Sequence, residues 1–285
     1  MARILITGIT GTIGSELATA LKKEGHTVEG VSGKKRIQDQ GYFDAIKTPE
    51  TIDAVYHLAA KTFVPDSWES PDDFSEVNIL GTHRTLEFCR KNSAKIIFIS
   101  SYAYGIPQYL SIDEKHPVFA VNPYALTKMM GEDVCHFYGK HYNLSYVIIR
   151  PFNVYGALGN KSLLIPEIIE QIKEGKQVRV KDLAPKRDYI FIDDLIDLLI
   201  RLLDYDKNET FNAGSGESLS VEEVIACCQR VFATDLPVYS TSQKRKNEIP
   251  ETLCDMRFVE KELNWKPGFT FEAGVNMMKT RLKNG

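Results

Sequence analysis

Tyr124-Ala-Leu-Thr-Lys128 pairs a phenol with an ammonium four residues apart, the one such spacing of Tyr and Lys in the chain. On a helix, positions i and i+4 share a face, so the cation can lie beside the phenol. A neighbouring cation favours phenolate and lowers a tyrosine pKa from its reference value near ~10. Such a phenol is a candidate general acid/base at an alcohol or carbonyl oxygen. Asn122-Pro123 announces the helix that would carry the pair, with Asn suited to the N-cap and Pro to the first turn. The preceding strand-like run, Lys95–Ser100, ends in Ser100-Ser101, which can offer a hydroxyl to the same reacting oxygen. Taken singly, each of these side chains reads as ordinary surface.

Their combination with the N-terminus gives them weight. Gly8-Ile-Thr-Gly11-Thr-Ile-Gly14 is a GxxGxxG between a short apolar run and a helical pattern. A helix N-terminus offers unpaired N–H groups and a positive dipole end to a pyrophosphate, and glycines let the backbone approach it. The strand–turn–helix context favours dinucleotide binding over a plain tight turn. A site for NAD usually carries an acid at the end of the second strand, for the ribose 2′-hydroxyl. Here Thr27–Ser32 ends on Ser32, followed by Gly33-Lys34-Lys35-Arg36, and Glu29 sits mid-strand. A hydroxyl with Lys34, Lys35 and Arg36 suits a 2′-phosphate, which favours NADP(H) and keeps NAD(H) as the alternative. The competing reading is a solvated basic loop.

The elements that must position these residues alternate. Strand patterns at Arg3–Thr7, Thr27–Ser32, Asp53–Leu58, Lys95–Ser100 and Ser145–Arg150 are interleaved with helical patterns at Gly11–Glu24, Glu76–Arg90 and Asn122–Tyr142. Such alternation implies an α/β fold with a Rossmann-type, doubly wound parallel sheet. Later segments predict a helix around Pro166–Glu174, strands at Val178–Val180 and Tyr189–Ile192, and a helix over Leu195–Leu203. Ser220 with Glu223 forms a capping box for a helix through Val231, and the tail from Thr234 shows turn residues and one short helix near Phe258–Leu263. We expect a cofactor domain over 1–150, with 184–212 returning to its sheet. A smaller α+β substrate lobe is expected over 151–183 and 213–285.

Composition bounds the rest. The chain has 285 residues, is 43% hydrophobic and carries a formal charge of −3, so neither disorder nor a nucleic-acid partner is expected. No apolar run approaches the ~20 residues of a membrane span, and no signal-peptide pattern opens the chain. The five cysteines form no CxxC pair, and no His or Cys spacing suits a metal. A reduced, cytoplasmic setting is expected.

Further motifs stand in order: Asp44 after a short apolar run, His57-Leu58-Ala59-Ala60, Asn78-Ile-Leu-Gly-Thr82, Tyr104-Gly105, Arg150-Pro-Phe-Asn153-Val-Tyr-Gly156, Arg187 to Asp194, Asn212-Ala-Gly214 and Leu263-Asn-Trp-Lys-Pro267. With these the chain resembles, over nearly its whole length, the extended branch of the short-chain dehydrogenase/reductase family. These are the NAD(P)-dependent nucleotide-sugar epimerases, dehydratases and ketoreductases. The resemblance implies that Gly8, Thr10, Gly11, Thr12, Ile13 and Gly14 line the pyrophosphate. It implies that Asp44 approaches the adenine and that Leu58, Ala59 and Ala60 run beside ribose and phosphates. Lys128 would also bond the nicotinamide ribose, with Tyr124 the acid/base. Asn153 and Arg187 would hold a nucleotide-sugar diphosphate. Arg245-Lys-Asn-Glu248 resembles the family's Arg-Pro-Gly-Asp, so Arg245 would clamp phosphate and Glu248 take a ribose diol. The resemblance also implies a homodimer through the helices at Glu76–Arg90 and Tyr124–Tyr142.

Two departures inform the activity. The segment before Tyr104-Gly105 is one residue short: counting back from Gly105 selects Ser100 as the hydroxyl, and counting forward from Ile99 selects Ser101. The dehydratases' Asp-Glu pair is replaced by Tyr102-Ala103, which demotes dehydration. The basic loop then favours an NADPH-dependent reductase of nucleotide-linked 4-keto-6-deoxy or dideoxy hexoses. Phe63-Val-Pro-Asp-Ser-Trp68-Glu-Ser-Pro71 resembles the substrate loop of the GDP-mannose branch and points to deoxysugar biosynthesis. The alternative is an NAD-dependent UDP-hexose 4-epimerase, and a cofactor-sensing regulator ranks lower because Tyr124 and Lys128 are both present.

Overall fold

The computed structural model describes residues 1–31, 36–46, 51–102, 104–157, 163–243 and 248–284. In chain order the first elements are β1 (Arg3–Thr7), α1 (Thr12–Lys23), β2 (Thr27–Gly30) and β3 (Ala54–His57). Next come α2 (Val64–Glu69), α3 (Pro71–Phe74), a π turn (Ser75–Leu80), α4 (Gly81–Asn92), β4 (Lys95–Ile99), α5 (Pro123–Tyr142) and β5 (Tyr146–Pro151). Then follow β6 (Asn153–Tyr155), α6 (Leu164–Glu174), β7 (Val178–Val180), β8 (Lys186–Phe191), α7 (Ile192–Arg201) and β9 (Glu209–Ala213). Last are β10 (Ser218–Ser220), α8 (Val221–Phe232), β11 (Val238–Ser240), α9 (Arg257–Leu263) and α10 (Phe271–Asn284). Two compact units form: Met1–Gly105 with Pro117–Arg150 and Ile196–Phe211, and Ile106–His116 with Pro151–Leu195 and Asn212–Gly285.

The first unit is built on a six-stranded sheet in the order β2-β1-β3-β4-β5-β9. β1 pairs in parallel with both β2 and β3, and β3–β4 and β4–β5 are parallel too. Chain order reverses across β1 and β3, so the ends of these strands flank a topological switch point, where ligands bind in such sheets. Strands covered on both faces need continuous apolar runs. Ile4-Leu5-Ile6, Ala54-Val55-Tyr56 and Ile96-Ile97-Phe98 meet that need and are buried throughout. The helices turn apolar side chains inward: Leu17, Ala18 and Leu21 on α1, and Ala125, Cys135 and Tyr138 on α5, are buried. All five cysteines are free and buried.

The second unit holds a three-stranded sheet, β10-β8-β6, and the parallel pair β11–β7. Ser220 caps α8 with the reciprocal Glu223 bonds of a capping box. Asp188 on β8 is buried and accepts from Ser215 N (2.6 Å), Ser215 Oγ (2.9 Å), Gly216 N (3.0 Å) and Cys254 N (3.0 Å), which ties three segments together.

Three elements depart from the expected pattern. The helix expected from Glu76 begins as a π turn and becomes regular only at Gly81. Of the stretch expected to return to the cofactor sheet, β9 joins it, whereas β8 belongs to the three-stranded sheet of the second unit. The tail carries a second helix, α10, whose Phe271, Val275 and Met278 are buried. Their i, i+4, i+7 spacing is an amphipathic signal that the nearby Pro267-Gly268 turn obscures.

Candidate active site

The glycine turn follows directly from β1. Gly8 has φ +73°, and a Cβ there would lie 2.8 Å from Ala59 N, so only glycine lets this turn pass beside the segment after β3. A Cβ on Gly14 would press on Gly8 O and come 2.9 Å from Ile9 Cα. Gly11 N closes the turn on Gly8 O at 2.9 Å. No side chain caps α1, its first turn carries no acid, and Thr10, Gly11 and Thr12 are exposed. The result is a backbone-lined concavity at a positive helix end, which fits a dinucleotide pyrophosphate. Gly14→Ala is expected to cost about 1–3 kcal/mol, because the added carbon meets backbone that cannot rotate away. Urea unfolding with an unchanged midpoint would count against that packing.

β4 and α5 bring the candidate acid/base residues together. Asn122 Oδ1 accepts from Ala125 N at 2.8 Å, which starts α5 and places Tyr124 in its first turn. The Ser101 hydroxyl hydrogen-bonds the Tyr124 phenol. Ser100, one residue earlier, is 3% exposed, and its Oγ has no hydrogen-bond partner. The geometry thus brings Ser101, not Ser100, to Tyr124. Phe74 meets the Tyr124 ring edge-on, with centroids 6.5 Å apart.

Lys128 shares the helix face but not the expected effect. Its Nζ donates to Ile99 O at 2.7 Å and sits 5.1 Å from the centre of the Phe98 ring. Burial pushes this ammonium down to about 8, against the pull of Glu132. The Tyr124 phenol is pushed up to about 12, because desolvation outweighs the Ser101 bond and Tyr102 adds to the rise. The sequence predicts a phenol lowered by Lys128; in the structure burial raises it instead, and the Lys128 ammonium donates to the Ile99 carbonyl.

Comparison with known proteins decides the family. The NAD dependent epimerase/dehydratase family matches residues 4–214. The chain belongs to that family. It is 30% identical to the UDP-glucose 4-epimerase of Lactobacillus helveticus, over 93% of this chain and 92% of that one. Its fold is similar to the UDP-glucose 4-epimerase of Thermotoga maritima solved with UDP-glucose (TM-score 0.91, 24% identity, 99% of each chain). It is equally similar to RMD from Pseudomonas aeruginosa complexed with NADPH (TM-score 0.92, 24% identity, 100% of this chain and 99% of that one). The protein is therefore an extended short-chain dehydrogenase/reductase enzyme of the nucleotide-sugar epimerase/dehydratase type.

The remaining candidate residues of this family member fall in different settings. Leu58, Ala59 and Ala60 follow β3 beside the glycine turn and are half-buried. Asp44 is exposed and lies in a 3-10 turn, Phe43–Ala45. Arg36 is engaged with Asp39, its backbone N donating to Oδ2 at 2.7 Å, and its side chain is 70% exposed. Glu29 accepts from Arg3 Nε at 2.7 Å. Ser32, Lys34, Lys35 and Arg245 lie outside the described residues. Arg187 and Glu248, each expected to meet the substrate, form an ion pair with one another, and Arg187 Nη1 also donates to Ile249 O at 2.7 Å. Asn153 Nδ2 donates to Asp188 O at 3.0 Å.

One set of residues escaped role assignment although the sequence motifs contain it. Thr7, His57, Asn78, Thr82 and Thr127 are buried polar side chains joined by hydrogen bonds. Thr7 and His57, polar residues at the ends of the buried apolar strands β1 and β3, were the available signal.

Proposed function

We propose that the enzyme is a nucleotide-sugar 4-epimerase whose substrate is a UDP-hexose. The observation that carries this reading is the likeness, over nearly the whole chain, to UDP-glucose 4-epimerases. It displaces the 4-ketoreductase as the leading reading. Gly8, Thr10, Gly11, Thr12, Ile13 and Gly14 would hold the pyrophosphate of NAD(P), with Leu58, Ala59 and Ala60 beside it and Lys128 at the nicotinamide ribose. The bound nicotinamide would accept and return hydride. Tyr124 would take the proton from the sugar O4 and give it back, and Ser101 would hold the same oxygen by a hydrogen bond. The second unit is assigned the nucleotide sugar, with Asn153, Arg187, Arg245 and Glu248 as its contacts.

NADPH-dependent 4-ketoreduction is the second reading. Glu29, the one acid on β2, is held by Arg3, and the basic run Lys34-Lys35-Arg36 follows the strand. The test is to incubate the protein with UDP-glucose or UDP-galactose, with and without NAD. Interconversion with no net change in reduced nicotinamide is expected. Stoichiometric oxidation of NADPH by a nucleotide-4-keto-6-deoxysugar, with every UDP-hexose left unchanged, overturns the epimerase and establishes the reductase.

The Ser101–Tyr124 contact makes a further prediction. Ser101→Ala is expected to lower kcat by about 10-fold or more, as for loss of one hydrogen bond to a charged group in the transition state, and Ser100→Ala by much less. Equal losses in the two variants would return Ser100 to candidacy.

A homodimer is part of this proposal. Leu126, Met130 and Phe137 on α5 are exposed, and with Val134 they follow the 4, 4, 3 spacing of one helical stripe. Light scattering that shows a monomer at micromolar concentration counts against it. Among the described residues no helix is long and apolar enough to cross a membrane. A cytoplasmic site of action is part of the same proposal.

A further inference from the structure

The hydrogen bonds around His57 have only one consistent direction. Thr82 Oγ1 donates to Asn78 O at 2.5 Å, so toward His57 Nε2, 3.0 Å away, it can only accept. Nε2 therefore carries the imidazole proton. Nδ1 is then an acceptor, and Thr7 Oγ1, 2.8 Å away, donates to it. Thr85 is also within 3.4 Å of Nδ1, but its hydroxyl donates to Gly81 O at 2.9 Å. With its proton directed at His57, Thr7 Oγ1 is left to accept, and Ala59 N donates to it at 3.3 Å.

The same logic extends beyond Thr82. Lys61 N donates to Asn78 Oδ1 at 2.8 Å, which fixes the amide orientation. Asn78 Nδ2 then donates to Lys61 O at 3.0 Å and to Thr127 Oγ1 at 2.9 Å. Thr127 passes its own proton to Tyr124 O at 2.8 Å. One directed chain thus runs from Ala59 N, beside the glycine turn, through Thr7, His57, Thr82, Asn78 and Thr127 to the backbone of Tyr124. The π turn over Ser75–Leu80 contains Asn78, which is buried.

The surroundings keep the imidazole uncharged. His57 is 2% exposed, stacks on Phe98 at 5.7 Å, and lies close enough to the Lys128 cation to be repelled by it. Burial first and Lys128 second push its pKa down to about 3. A charged imidazole would donate from both nitrogens and collide with the Thr7 proton.

We propose that His57, fixed as the Nε2–H tautomer, is a positioning residue that locks the turn after β1 and the Leu58–Ala60 segment to the helix carrying Tyr124. The proposal rests on the reading of that turn as the dinucleotide site. In a packed interior each link is polar and satisfied, so cutting one leaves others unpaired and loosens both ends together. Neither Thr82 nor His57 needs to touch the cofactor to alter its affinity.

The experiment compares wild-type protein with Thr7→Val, Thr82→Val and the double variant. Dissociation constants for NAD and NADP come from calorimetry, stability from urea unfolding, and the His57 tautomer from imidazole nitrogen chemical shifts. In wild type a single tautomer, protonated at Nε2, is expected. Each single variant is expected to weaken cofactor binding about fivefold to tenfold, and the double variant no more than the worse single, because the chain is already cut. His57 protonated at Nδ1 overturns the network. So do losses that multiply in the double variant, or unchanged affinity with lowered stability. Wild-type protein that binds neither dinucleotide overturns the cofactor reading itself, whereas tight wild-type binding with unresponsive variants overturns only the network.

Discussion

Tyr124→Phe is expected to lower turnover about 10²–10⁴-fold and leave NAD(P) affinity within about twofold. The substitution removes one oxygen and keeps the ring that packs edge-on against Phe74. It also leaves intact the Asn122 cap and the Thr127 bond to Tyr124 O, both of which use backbone atoms of α5. The fold therefore has no reason to change, and the loss falls on kcat, as for an interaction made only while a proton moves. With the phenol pushed up to about 12, the side chain enters the reaction protonated at pH 7. In an epimerase it acts first as a base on the sugar O4–H, so positive charge must approach the phenol before that step, and it returns the proton afterwards. Steady-state rates with UDP-galactose, paired with a cofactor titration, check the prediction. A variant within threefold of wild type would remove Tyr124 from the acid/base role.

The parts of the site that were legible in the sequence are the local ones. Gly8, Gly11 and Gly14 lie within seven residues, and their role follows from a turn between β1 and α1 that the same residues build. Tyr124 and Lys128 share a face because i and i+4 always do on a helix. Ser100 and Ser101 could not be separated by counting, since a strand end shifted by one residue exchanges which side chain faces the helix. In the sheet Ser100 N is held by Ile149 O at 2.7 Å, and the residue is buried. Pairings across the chain were not legible. Arg187 and Glu248 lie 61 residues apart, and nothing in either segment shows that the charges meet each other. The tautomer of His57 depends on Thr7 and Thr82, which lie 50 and 25 residues away. The same holds for Lys128. Helical spacing placed its ammonium on the side of Tyr124, while the carbonyl of Ile99 at the end of β4 captured it. The parallel sheet was legible because its strands are short continuous apolar runs. The boundary of the second unit was not, because β8 and β9 read alike as strands and only pairing partners distinguish them.

Glu132→Ala is expected to destabilise the fold by about 3–5 kcal/mol, the cost of leaving a buried charge without its partner. Arg150 on β5 meets Glu132 on α5 through Nε–Oε1 at 2.9 Å and Nη2–Oε2 at 2.5 Å, and its Nη1 donates to Tyr104 Oη at 2.9 Å. The two side chains are 8% and 5% exposed, so water cannot replace the lost carboxylate. Removing both charges should cost far less than removing one: Glu132→Leu with Arg150→Met trades the pair for apolar volume, and such exchanges are often neutral or stabilising. The pair also reaches the site. Glu132 lies one turn beyond Lys128 and holds that ammonium's pKa up against burial. Without the carboxylate the value falls further below about 8, so the Lys128 charge is lost at lower pH and the alkaline limb of the activity profile moves in the same direction. Urea unfolding measures the first effect, and pH–rate profiles of the double variant measure the second in a protein that keeps its fold. If Glu132→Ala unfolds at the wild-type urea concentration, the ion pair is not what holds β5 to α5. An unmoved alkaline limb in the double variant would show that Lys128 charge does not set the rate.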